Sequence, residues 1–111
     1  MALKERQTPP PLLRALRSLA EDIVTWRKLR GLTQSQLADR SNVSRGTLYR
    51  LEKGDGGVST ENLLRVLRGL GILDSFSRAI DPYESDVGRL RAEERLPDRI
   101  RPRRLSGPSD G

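Results

Sequence analysis

The sequence predicts an all-α fold, and three observations carry that prediction. Large apolar residues recur at helical spacing. Three segments open on a Ser or Thr with an apolar residue just before it and another four residues after it. No segment alternates polar and apolar residues for long enough to make a strand.

Residues 1–11 read as a flexible N-terminus, in which Pro9, Pro10 and Pro11 stop one helix and open the next. From Leu12 the apolar positions Leu12, Leu16, Leu19, Ile23 and Trp26 mark one helical face, and Gly31 suits the left-handed residue that ends a helix. A second helix starts at Thr33, where TQSQ is a capping box flanked by the Leu32–Leu37 staple. It stops near Ser41, before Asn42, the non-glycine residue that best tolerates the left-handed conformation. Ser44 caps a third helix, with Val43 and Leu48 as its staple. Leu48 and Leu51 face inward there, which turns Arg45, Gly46, Tyr49, Arg50 and Lys53 outward. After the loop DGGVS, Ser59 caps a leucine-rich fourth helix with the staple Val58–Leu63, and Gly71 ends it. A short fifth helix runs from about Asp74 to Ile80.

One domain over residues 12–81 follows, with a mostly disordered basic tail over 82–111. Within that tail, Asp86–Arg95 has the i,i+4 charge pairs of a short helix that has little to bury. Arg99–Arg104 (RIRPRR) has three readings: it tracks DNA phosphates, docks on an acidic partner, or is a solvated end.

Composition narrows the chemistry. The chain has 111 residues and a net charge of +6, which favours an anionic partner, nucleic acid before a membrane surface. Lys4, Lys28 and Lys53 are its only lysines; the other cations are Arg, suited to bidentate contacts with guanine and phosphate. Without Cys or His there is no disulfide, no thiol nucleophile and no imidazole base, so no metal, cofactor or catalytic residue is expected. The acidic pairs Glu21–Asp22 and Glu93–Glu94 are sequence neighbours and point to different sides of a helix. No apolar run approaches a membrane span, and MALKERQTPPP lacks the apolar centre of a secretory signal, so the cytoplasm is the expected location.

Residues 33–54 therefore read as a helix-turn-helix, whose second helix enters the major groove of double-stranded DNA. Arg45 and Arg50 are candidates for reading guanine, Tyr49 for packing on a thymine methyl, and Gly46 for letting the backbone approach closely. Thr33, Gln34, Ser44 and Lys53 are the candidate phosphate contacts. Leu70, Ile72, Leu73, Phe76 and Ile80 form an apolar surplus that fits a homodimer interface or the closing of the monomer core.

On Ile23, Trp26, Arg27, the run Gly31–Gln34, Leu37, Ala38, Val43, Ser44, the run Leu48–Glu52 and Gly54, the chain resembles the Cro/Xre family of bacterial and phage regulators over about residues 20–73. The resemblance implies a five-helix, lambda-repressor-like domain with recognition helix 45–53. It further implies base reading by residues at the positions of Arg45, Gly46 and Arg50, phosphate contact at Gln34, and a partly buried Arg27–Glu52 ion pair. It implies a homodimeric repressor acting at the bacterial nucleoid, its two recognition helices about 34 Å apart on a palindromic operator. Asn42 stands where the family usually has Gly, and Gly46 where it usually has a side chain. The run from Gly57 to Asp81 resembles the antitoxin of HipA/HipB-type pairs, which implies, as the alternative, a HipA-like kinase toxin as partner.

Overall fold

The computed structural model describes residues 7–96. Among them are the helices α1 (Pro10–Leu29), α2 (Gln34–Ser41), α3 (Arg45–Glu52), α4 (Thr60–Gly69), α5 (Leu73–Ile80) and α6 (Asp86–Arg95), a 3-10 turn at Pro82–Glu84, and no strand. The chain divides into two units, Met1–Leu73 and Asp74–Gly111.

In the first unit, helix ends follow their caps. Pro10 and Pro11 occupy the first turn of α1, so the helix starts two residues before Leu12. The Thr33 hydroxyl accepts from the Gln36 N–H at 3.0 Å, and the Gln36 side chain accepts from the Thr33 N–H at 2.9 Å. Asn42 ends α2 at φ 59°, ψ 45°, its N–H donating back to the Ala38 and Asp39 carbonyls. That left-handed residue reverses the chain tightly enough for Ser44 to cap α3, accepting from the Thr47 N–H at 3.0 Å. Ser59 does the same for α4 through the Asn62 N–H at 3.1 Å.

α2 packs on α4, α1 packs on α3, and α3 touches both α2 and α4. Ile23, Leu37, Ala38, Leu48, Leu51, Val66 and Leu70 are buried between them. All the staple residues, Leu32, Leu37, Val43, Leu48, Val58 and Leu63, lie in this core or against it. Where α2 meets α4, a Cβ on Gly69 would lie only 2.3 Å from the Ser41 hydroxyl oxygen, so the missing side chain sets how closely the two helices pack.

Of the two readings of the apolar surplus, Leu70 takes the closing of the monomer core. It continues the α4 stripe of Leu63, Val66 and Leu67, and it is 1% exposed inside the core, with no surface to offer a second copy. Ile72 is half-buried against the same core, and Leu73 is half-buried. Phe76 and Ile80 are exposed, and α5 buries no residue.

In the second unit, a 3-10 turn at Pro82–Glu84 precedes α6. Asp81 caps the turn through the Tyr83 N–H at 2.9 Å, and Ser85 caps α6 through the Gly88 N–H at 2.9 Å. Arg89 donates to the Tyr83 carbonyl at 2.7 Å and pairs with Asp86. The α6 helix falls over Asp86–Arg95, as read from sequence, and buries no residue. Residues 1–6 and the Arg99–Arg104 run lie outside the described residues. Among the described residues no helix is long and apolar enough to cross a membrane.

Candidate nucleic-acid interface

The second and third helices are held to the first by one polar knot. Arg27, in the last turn of α1, grips Glu52 at the end of α3 with two hydrogen bonds, Nε to Oε2 at 2.8 Å and Nη2 to Oε1 at 3.1 Å. Its Nη1 donates to the Leu32 carbonyl at 3.1 Å. The Gln34 amide donates to Glu52 Oε1 at 2.8 Å. One carboxylate therefore ties the end of α1, the start of α2 and the end of α3. The side chains of Arg27 and Glu52 are 14% and 4% exposed, so the pair works where water screens it weakly.

Burial of Leu48 and Leu51 fixes the rotation of α3. Arg45, Gly46, Tyr49, Arg50 and Lys53 are all exposed on its outer side. Arg45, Tyr49 and Lys53 follow each other at successive turns, with Gly46 and Arg50 beside them. The Lys53 ammonium sits 5.2 Å from the Tyr49 ring centre, within cation–π range. Glu52, the one carboxylate of α3, is turned inward to Arg27, so the outer side of the helix is basic.

Arg50 is aimed by a residue that the sequence reading missed. Its Nε donates to Asp55 Oδ2 at 3.0 Å, while Asp55 Oδ1 accepts from the Gly57 N–H at 2.7 Å. The Gly57 N–H and then the Arg50 guanidinium hold the Asp55 carboxyl below its ordinary pKa. The two Nη groups of Arg50 remain available for a base edge or a phosphate. The signal was Asp-Gly-Gly, an Asx turn, one turn beyond Arg50.

The four candidate phosphate contacts fare differently. Gln34 is oriented by Glu52 and keeps one amide N–H free. The Thr33 N–H is taken by Gln36, so the backbone donors at this helix start are those of Gln34 and Ser35. The Ser44 hydroxyl donates to Thr47 Oγ1 at 2.9 Å, which leaves the Thr47 hydroxyl proton as the one to offer. Lys53 is exposed at the far end of α3. Arg45 and Gly46 lead the helix, and Thr33, Gln34, Arg45, Gly46, Tyr49, Arg50 and Lys53 all belong to the first unit.

The arrangement offers a rigid basic helix with hydrogen-bond forks outward and a second helix start nearby for an anion. A helix-turn-helix family model matches residues 23–74, which span the α1 end through the start of α5. No curated protein and no solved structure matches the chain.

Proposed function

Through residues 23–74 this chain belongs to the Cro/C1-type helix-turn-helix DNA-binding regulators, and from that premise we propose that it is a repressor that binds a palindromic operator as a homodimer. The α3 helix enters the major groove with Arg45 and Gly46 foremost, and Arg50 reads a base or grips a phosphate one turn further on. The observation that carries this reading is the rotation of α3: Leu48 and Leu51 are locked in the core and Glu52 is locked on Arg27, so the basic side has one direction to face. Exposed Phe76 and Ile80 on α5 supply the apolar surface for pairing.

Selection of bound duplexes from a random pool tests operator symmetry and sequence together. Arg45→Ala is then expected to lose about 1–3 kcal/mol on the selected site and to relax one base position. Unchanged affinity and selectivity would remove Arg45 from the reading. Phe76→Glu with Ile80→Glu is expected to give a monomer in sedimentation equilibrium.

A second reading, an antitoxin of the HipA/HipB type, draws on the same exposed apolar residues of α5, which also suit a protein partner. Co-expression with the product of an adjacent kinase-like gene, followed by pull-down, separates it from a simple repressor.

A further inference from the structure

We propose that a basic recess between α2, α4 and the end of α1 binds a small molecule carrying two or more phosphate groups. The cavity measures about 520 Å³ and is lined by Arg30, Arg40, Arg65 and Arg68 together with Ser41 and Gly69; no carboxylate lines it. Its size falls within the range of about 300–1,000 Å³ usual for small-molecule pockets.

The four guanidinium groups come from three helices, and one of them is built in place. Arg30 donates from Nε to the Leu70 carbonyl at 2.9 Å and lies 4.9 Å above the Trp26 ring centre. Arg65 is held by Glu61 through Nε and Nη2. Arg40 and Arg68 have no carboxylate partner among the described residues.

A structural purpose accounts for part of this charge. α1, α2 and α4 all end here, and each helix end carries about half a negative charge. Those three ends and Glu61 together fall short of four guanidinium groups, so a positive excess remains. Planar Arg forks from different helices match a ligand with several oxyanion faces better than a single carboxylate. None of Arg45, Gly46, Tyr49 and Arg50 lines the recess, so the proposal does not rest on the DNA reading.

Trp26 is the only tryptophan in the chain, and its contact with Arg30 makes it a built-in reporter. The full chain is titrated with inorganic pyrophosphate at constant ionic strength, and Trp26 fluorescence and the thermal midpoint are read. Saturable fluorescence change and a midpoint that climbs with the logarithm of concentration are expected. Arg40→Gln with Arg68→Gln, both at exposed positions, should weaken the apparent affinity by about tenfold or more. A wild-type response equal to that of sodium chloride at matched ionic strength overturns the proposal, and so does an unchanged response in the double variant. If pyrophosphate has no effect while the double variant loses DNA affinity, the recess serves the DNA backbone instead and the proposal fails.

Discussion

Arg27 and Glu52 lie 25 residues apart and meet through two hydrogen bonds of 2.8 and 3.1 Å. The contact joins the end of α1 to the end of α3, and Gln34 reaches the same carboxylate from the start of α2. Removing Glu52 strands a largely buried guanidinium and releases Gln34 at once. Glu52→Ala should therefore cost about 3–5 kcal/mol, a large part of the stability of a small domain, read as a shift in the urea unfolding midpoint. A cost inside the scatter of ordinary surface substitutions, about 0.5 kcal/mol, would mean that α3 is held by its leucines alone.

Asn42 occupies the left-handed conformation at φ 59°, the only non-glycine residue to do so among those described. Asn42→Ala keeps the Cβ but loses the short polar side chain that eases the left-handed conformation, and should destabilise by about 1–2 kcal/mol. Asn42→Gly removes the Cβ and its steric clash, and should leave stability within about 0.5 kcal/mol of the parent. Equal losses in the two variants would place the role of Asn42 in its side chain rather than its backbone.

At the crossing of α2 and α4, a Cβ on Gly69 would come within 2.3 Å of Ser41 Oγ, which has no hydrogen-bond partner. Gly69→Ala should cost about 1–3 kcal/mol through overpacking, despite the gain in helix propensity. Ser41→Ala removes the unpartnered hydroxyl and should be neutral or stabilising. Combined, the two changes should cost less than their sum, because they share the same space. Equilibrium denaturation of all three variants measures that coupling.

Local signals account for what the sequence disclosed. Capping residues, staples and the 3.6-residue period act within a few positions, and they located α2, α3, α4 and α6 closely. The Arg27–Glu52 pair spans 25 residues and was reached through resemblance, not spacing. The choice between dimer interface and monomer core for Leu70 lay beyond the sequence, because periodicity gives a helix its apolar face without saying what covers it. Asp55 was missed because its work depends on where the loop folds back toward Arg50. The recess escaped notice for the same reason: Arg30, Arg40 and Arg68 are far apart in sequence and meet only in the packed unit.

Asp55 carries the pH dependence that follows from the structure. Folding lowers its pKa below the ordinary 3.8, first through the Gly57 N–H and then through Arg50. Its stabilising contribution is therefore full above that value and is lost as pH falls through the lowered one. Denaturation of the parent and of Asp55→Asn from about pH 7 down to about pH 2.5 should show a stability gap that closes at the acid end. The same variant loses the charge on Asp55 and leaves one acceptor oxygen for the two donors Arg50 and Gly57, so Arg50 is held less tightly and base preference at the position it faces should broaden. A gap that stays constant with pH would deny Asp55 this role.

Gly46 separates the demands of folding from those of recognition. It lies in the first turn of α3, where glycine costs helix stability, and its backbone needs no special conformation. A Cβ added there meets nothing closer than Ser44 Oγ at 3.9 Å, so no neighbour inside the protein requires the missing side chain. Gly46→Ala should raise stability by about 0.5–1 kcal/mol. If α3 docks with its first turn against DNA, the same methyl group fills space that the bases or sugars occupy, and operator affinity should fall. Thermal unfolding and DNA titration of this one variant should then move in opposite directions. A variant that is more stable and binds as tightly as the parent would show that the first turn of α3 does not approach DNA closely.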